Sequence, residues 1–469
     1  MIIGREKEIE VLTDCYNSKK SDFVAIYGRR RVGKTFLIRQ LFEPDFTFYS
    51  TGVLNQNKST QLKVWNNDIA RYGGAGCRHA DNWVDAFVNL NTLAEKSKKT
   101  KKVIFLDEIP WMATMHSDFL TGLDYFWNRL ISPRKDVLLI ICGSAASWIA
   151  DNIVNDTGGL HNRLTRQMLL QPFNLKECEH FFKSHNIPLT RYQMAEAYMI
   201  FGGIPYYLSL MSPHLSLYQN VDKMYFEQGA ELCHEFQNVY RSLYKNAENY
   251  IRIIEALATK GIGLTRTEIV ETTSIANGGR LTKMLSDLTI SGFIRKYKSY
   301  GQKNRDSLYQ LVDFFSLFDI RFRGKRDEYI EDFWLRFCAT SAYSTWSGIS
   351  FEKLCLLHLP QIRKKLGISG VLTSAFSWRG KFENMGAQID LVIDRNDNVV
   401  NLCETKFASG LYQIDKKTHE SIQNKKAAFV GSTRTRKAVV TTMITTFGLT
   451  KNMYSSEIMS VVMLDDLFE

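Results

Sequence analysis

Three carboxylate-bearing or glycine-rich stretches of this chain carry residue types whose spacing can do chemistry. Near the start, the apolar run DFVAIYG leads into GRRRVGKT and then FLIRQLF, whose apolar residues recur at helical spacing. That order is strand, loop, helix. The loop fits GxxxxGK[ST], in which glycines let backbone N–H groups close around phosphates while the following helix N-terminus adds its dipole. Gly28, Arg29, Arg30, Arg31, Val32, Gly33, Lys34, Thr35 and Phe36 are the cradle it predicts for ATP. Lys34 is spaced to reach the β- and γ-phosphates, and the Thr35 hydroxyl to ligate Mg²⁺.

A site of this type needs a second carboxylate at the end of another parallel strand. KKVIFLDEIPWM supplies it, with Asp107 holding the metal through water and Glu108 placed to polarise the attacking water. A base in that position argues for hydrolysis and not for binding alone. The other reading, a solvated acidic turn, sits poorly with so apolar a strand.

The third stretch lies far along the chain. GAQIDLVIDR and NVVNLCETKFA are strand-like runs joined by Asn396, Asp397 and Asn398, which reads as a β-hairpin. Glu404 and Lys406, two apart, share one face while Thr405 points away. If Asp390 lies beside Glu404, the pair can bind Mg²⁺ or Mn²⁺ and leave Lys406 near an attacking water, with Glu352 on the preceding helix completing the shell. That is the arrangement of metal-assisted phosphodiester cleavage. A structural ion pair between Lys406 and one carboxylate is the alternative, since charges in apolar strands are costly unless paired.

The elements between must position these groups. FTFYST and VLLIICGS are two more strands for the first sheet, and Ser144 at the tip of the latter either senses the γ-phosphate or is a buried cap. In GLHNRLTRQMLLQPF, Arg163 or Arg166 precedes a last strand and is a candidate arginine finger, in cis or from a neighbour. Residues 171 to 249 are helical in pattern, broken at Gly202, Gly203 and Pro205. From Tyr250 the order is three helices and a hairpin, the winged-helix pattern. Its third helix carries Arg280 and Lys283, and its wing Arg295, Lys296, Lys298, Lys303 and Arg305 interleaved with Tyr297 and Tyr300. Such a wing suits a nucleic-acid backbone, although winged helices also serve as packing modules. A basic tail with Lys416, Lys417, Lys425, Lys426, Arg434, Arg436 and Lys437 either helps to hold DNA or is a solvated face.

Composition sets outer bounds. At 469 residues, one hydrophobic core is too few. With 45% hydrophobic and 23% charged residues the chain reads as folded, and a net charge of +11 favours polyanionic partners. The eight cysteines form no CxxC pair, which speaks against a zinc site or a disulfide framework. No apolar run nears the roughly 20 residues of a membrane span, and MIIGREKEIE lacks a signal core, so a cytoplasmic location without membrane contact is expected.

The GREKEI box, GRRRVGKT, FLDEIPWM and FGGIPYYL together resemble the archaeal-type ATPase family, within the signal-transduction (STAND) ATPases related to AAA+ proteins. The resemblance implies an α/β P-loop NTPase core, AAA+-like, with one strand between the metal-binding strand and the P-loop strand. It further implies a helical lid with Pro205 near the adenine. HNR departs from the family where a glycine is expected beside the arginine. GAQIDLVID…CETK resembles the PD-(D/E)XK nuclease-like domain that accompanies such ATPases. The chain is thus divided into an ATPase core at 1–170, a lid at 171–249, a winged helix at 250–325 and a nuclease-like domain at 326–469. The expected activity is ATP hydrolysis whose nucleotide state controls a DNA-binding or DNA-cleaving C-terminal domain, with self-association through the ATPase core. The alternative is a signalling switch whose C-terminal domain is catalytically silent and binds a partner.

Overall fold

Five apolar runs assemble into one sheet: β1 (Asp22–Tyr27), β2 (Phe46–Thr51), β3 (Lys102–Asp107), β4 (Val137–Gly143) and β5 (Arg166–Leu169), ordered β2-β3-β4-β1-β5. Every pairing is parallel. β4 is buried along its whole length, which a strand with helices on both faces must be. It stands between β1 and β3, the one-strand separation that the resemblance implies. These coordinates come from a computed structural model that describes all residues except 1, 75, 115–116, 156–159, 161, 299, 301–306 and 383–384.

One face of the sheet is covered by aromatic helices. Helix Trp83–Lys96 starts where the Asn82 side chain accepts from the Asp85 N–H, and buries Trp83, Phe87 and Leu90. Trp65 meets Trp83 edge-on, with ring centroids 5.3 Å apart, and Phe119 and Phe126 close the cluster. Each such burial stabilises by about 2 kcal/mol or more.

The chain divides into two compact units. The first is Met1–Pro172 with the short stretches Ser242–Lys245 and Ser286–Gly292; everything else belongs to the second. Apart from those stretches and residues 171–172, the segments read as 171–249, 250–325 and 326–469 fall together in the second unit.

The second unit begins with helices Leu175–Ser184 and Arg191–Phe201, each opened by a capping box, Asn174 with Glu177 and Thr190 with Gln193. Helices Ala247–Ala258, Arg266–Thr273 and Gly279–Ile290 follow in the chain, the last with its residues from Ser286 on counted in the first unit, and β6 (Leu264–Thr265), β7 (Ile294–Tyr297) and β8 (Leu308–Leu311) form an antiparallel sheet ordered β6-β8-β7. The last part places helix Ser341–Leu357 before β9 (Thr373–Phe382), β10 (Met385–Arg395) and β11 (Val399–Lys406), which pair antiparallel. Helix Lys416–Thr433 then crosses over to β12 (Ala438–Thr445), which runs parallel to β11 and to β13 (Ser460–Met463).

Part of the basic wing packs inward. Tyr297 is buried in one core with Phe376, Trp378 and Phe429 of the C-terminal sheet and helix, and the Tyr300 ring packs 5.3 Å from Phe429. Arg295 lies over the Tyr297 ring at 4.4 Å and donates to Gln310 Oε1 at 2.6 Å. Strand alternation turns Lys296 outward, and it is exposed, as is Lys298 just past the strand end. Lys303 and Arg305 lie outside the described residues. The inner face of the hairpin is therefore a packing surface. The basic tail is also partly spent, because Lys425 pairs with Glu404 and Lys437 with Asp394. No helix among the described residues is long and apolar enough to cross a membrane.

Candidate functional site

The ends of β1, β4 and β3 lie side by side at one edge of the first sheet, the edge where ligands of open α/β folds bind. The loop leaving β1 turns at Gly28, with φ of 149°, where a Cβ would stand 2.4 Å from the Leu170 carbonyl oxygen. Gly33, with φ of 92°, is the N-cap of helix Lys34–Phe42. Between them Arg29 and Val32 are buried, Arg30 and Arg31 are partly buried, and Arg31 adopts a left-handed φ of 71°. The Lys34 ammonium folds back to donate to the carbonyl oxygens of Gly28 and Arg29, each at 2.9 Å. Phe36 turns its ring outward, 52% exposed, so that only its backbone belongs with the cradle.

Across from the loop, Thr35 Oγ1 donates to Asp107 Oδ2 at 2.6 Å. The Glu108 N–H donates to Asp107 Oδ1 at 2.9 Å, and Glu108 itself has a left-handed φ of 48°. A non-glycine residue held there needs its surroundings to fix it. Ser144 does so, donating to Glu108 Oε2 from its N–H at 3.0 Å and from its Oγ at 2.9 Å. Burial raises the Glu108 pKa, while Lys34 and the Ser144 hydrogen bonds act against the rise. Ser144 thus orients the second carboxylate, a role between the two readings of its sequence position. Arg5 from the GREKEI box backs the loop: its guanidinium donates to Val32 O at 3.4 Å and to Gln171 O at 2.6 Å.

These residues fit a triphosphate with Mg²⁺. The ammonium lies against the loop's own carbonyls, and a hydroxyl and a carboxylate converge 2.6 Å apart where a cation would take both. Arg163 does not join them. β5 runs parallel to β1 with Arg166 opposite Val24, and the Thr165 N–H donates to Phe23 O at 2.8 Å, so Arg163 and Arg166 stand by the start of β1 while the loop leaves from its end. Neither arginine is brought to the loop in the way Lys34, Thr35, Asp107 and Glu108 are brought together. Pro205 opens helix Pro205–Ser209 in the second unit as its first-turn proline.

The C-terminal candidates converge in a different way. Asp390 and Glu404 lie one step beyond the last paired residues of β10 and β11, Leu391 and Cys403, and both act on the Glu352 carboxyl. Glu352 lies in helix Ser341–Leu357, and its pKa rises to about 8 through burial first and the Asp390 charge second, with Glu404 adding to it. Next to it Lys353 is buried, donates to Gly261 O at 3.1 Å and is lowered to about 8 by burial. Asp390 Oδ1 accepts from Gln388 Nε2 at 2.8 Å.

Glu404 decides the character of this place. Lys406 Nζ lies 3.0 Å from its Oε1 and Lys425 Nζ 2.7 Å from its Oε2. Burial alone would raise the Glu404 pKa, but Lys425 and Lys406 outweigh it and hold the carboxyl below its ordinary value. Both oxygens are thus taken, and among the described residues no group of three or more His, Cys, Asp or Glu is arranged to hold a metal ion. The expected metal set of Glu352, Asp390 and Glu404 is brought into one neighbourhood, yet as the side chains stand it does not fit a divalent cation.

The fold and the first of these sites define a P-loop ATPase domain. Residues 2–211 match the family described as ATPase domains predominantly from Archaea. An uncharacterized protein of Methanocaldococcus jannaschii is 24% identical over 429 residues, 91% of this chain and 92% of that one. An uncharacterized ATP-binding protein of the same organism is 44% identical over 43 residues, 9% of this chain and 73% of its own length. Among solved structures, a Walker-type ATPase of Pyrococcus abyssi aligns with 68% of this chain and 96% of its own, at 16% identity and a TM-score of 0.49. The Aeropyrum pernix ORC2 protein aligns with 69% and 93%, at 14% identity and a TM-score of 0.41.

Proposed function

We propose that the chain binds ATP with Mg²⁺ at Gly28–Thr35, hydrolyses it with Glu108 as the base, and uses the nucleotide state to control a DNA-engaging second unit. The observation that carries the first part is the convergence of Lys34, Thr35, Asp107 and Glu108 at adjacent strand ends, with Glu108 held by Ser144. Backbone N–H groups of the loop and the Lys34 ammonium bind the β- and γ-phosphates. Thr35 and Asp107 hold Mg²⁺, which when bound neutralises charge on those phosphates. Glu108 takes the proton of the attacking water, and Ser144 keeps its carboxylate aimed. Arg163 acts from a neighbouring copy on the phosphate charge, a role that requires self-association, and Pro205 of the lid sits by the adenine.

For the second unit we take residues 250–325 as a winged helix and 326–469 as a PD-(D/E)XK-like fold. The support is the order helix, three antiparallel strands, helix, parallel strand, with Asp390, Glu404 and Lys406 at the motif positions. The charge of +11 suits DNA as its partner. A second reading, a signalling switch with a silent partner-binding C-terminal domain, is favoured by one observation: both Glu404 oxygens are already paired with lysines.

Fluorescence anisotropy of a labelled duplex with the full chain tests the scheme. The affinity of Glu108→Gln with ATP should differ from that of the wild type with ADP by about tenfold, a coupling of ordinary size. Absence of DNA binding in every nucleotide state rejects DNA engagement and leaves the switch. Cleavage of linear, circular or single-stranded DNA with Mn²⁺ that Glu404→Ala removes would reject the silent reading.

A further inference from the structure

Helix Arg191–Phe201, in the segment taken as the lid, shares its compact unit with the last third of the chain and is fastened to it along its length. At its start Arg191 pairs with Asp465 at 3.1 Å and lies over the Phe468 ring at 4.9 Å. Further on, the buried Glu196 accepts from the Tyr218 hydroxyl at 3.3 Å and from the hydroxyl of Tyr343, on the helix that carries Glu352. The Tyr198 ring meets the buried His358 edge-on at 5.2 Å. Buried polar groups satisfied across two elements hold those elements in one arrangement.

Beside Arg191, the Tyr192 ring stacks on Phe407 at 4.6 Å and on Phe447 at 5.8 Å. Phe407 directly follows Lys406, the last residue of β11, and Phe447 lies two residues past the end of β12. Thr446 ties the two strand ends together: its Oγ1 donates to Ala408 O and accepts from the Ala408 N–H at 3.0 Å. Phe407 also packs 5.2 Å from Phe351, the chain neighbour of Glu352. One phenylalanine therefore joins helix Arg191–Phe201, the helix of Glu352 and the strand of Glu404 and Lys406.

We infer that Tyr192 is a positioning residue through which the lid fixes the end of β11, and that the nucleotide state reaches Glu404 and Lys406 through this aromatic stack. The inference rests on the reading that nucleotide state controls the second unit. A gap of about 1 Å already forfeits up to half of a packing contact, so a lid that shifts with ATP either carries Phe407 along or lets it go. Both change how firmly the strand end is held.

The test is hydrogen exchange of the amides at 405–411 in the full chain, made with Glu108→Gln so that bound ATP persists. Exchange with ATP and with ADP should differ about fivefold or more. Adding Tyr192→Ala should raise exchange about tenfold and erase the nucleotide difference, whereas Tyr192→Phe, which keeps the ring, should restore both. Tyr192→Leu, which keeps bulk without a stack, replaces the alanine variant if circular dichroism shows that the latter fails to fold. A nucleotide difference that survives Tyr192→Ala, or exchange that neither variant raises, overturns the inference. Faster exchange in Tyr192→Ala with no nucleotide difference even when Tyr192 is present supports the brace and overturns nucleotide control, the reading beneath it.

Discussion

At the strand ends of the first unit, Asp107 is met by a neutral hydroxyl, while in the second unit Glu404 is met by two ammonium groups. Both places bring carboxylates together near a sheet edge, and the contrast lies in what neutralises them. The Thr35–Asp107 pair has donated nothing charged, so a cation gains both oxygens at little cost. Around Glu404 both carboxylate oxygens are already paired from within, so an incoming cation meets an ammonium at close range whichever oxygen it approaches. The same residue types therefore make a ready cation site in one unit and a closed one in the other.

The largest effect that sharpens this contrast is at Glu108. Glu108→Gln should lower the ATPase kcat by about 10²–10⁴ with ATP affinity kept, as loss of a general base does, measured by phosphate release and by calorimetry. Thr35→Ala comes next: it removes the hydroxyl from Asp107, and Mg²⁺-dependent ATP affinity should fall about tenfold while Mg²⁺-free binding changes less. If Mg²⁺ dependence were unchanged, the first place would be no more a cation site than the second.

Ser144→Ala should lower kcat by about tenfold and move the acid limb of the pH–rate profile. The sign follows from the hydrogen bonds. Burial already places the Glu108 pKa above its ordinary 4.5, Ser144 opposes that rise, and its loss lifts the limb further toward neutral pH. A limb that stays put would make Ser144 a mere cap.

An effect on stability and not on activity belongs to Glu352. Its folded pKa of about 8 lies above the ordinary 4.5, so the stability it contributes is fully present below about 4.5 and is lost as pH rises through about 8. Glu352→Gln should flatten this decline, worth about 2 kcal/mol after allowance for coupling to Asp390, as read from urea midpoints at the two ends of the window. A wild type equally stable at both ends would show that the second place is not crowded with negative charge.

Local spacing made the first site legible. Gly28 to Thr35 must be a turn into a helix, and Asp107–Glu108 ends an apolar strand, so sequence neighbours alone define most of the geometry. Ser144 could be placed at a strand tip but not assigned to Glu108, 36 residues away, because only the sheet order brings them together. No local pattern around Arg163 reveals that the strand after it, β5, starts opposite Val24 of β1.

In the second unit the shared face of Glu404 and Lys406 followed from strand alternation, whereas Lys425 arrives from a helix 21 residues on. The wing was the hardest to read. Lys296 and Lys298 alternate with residues that look equally surface-worthy, and only tertiary packing turns Tyr297 and Tyr300 inward onto Phe376 and Phe429. The Arg5 contact with Val32 had no spacing signal beyond the box that contains it.

Isothermal titration of ATP with Mg²⁺ into the full chain, beside Lys34→Ala, tests the central claim most directly. The wild type should take up one nucleotide per chain, and Lys34→Ala, which loses a charged contact to two phosphates, should bind roughly 100-fold more weakly. Well-folded wild type that takes up no adenine nucleotide, or a Lys34→Ala variant that binds as tightly as wild type, would contradict it.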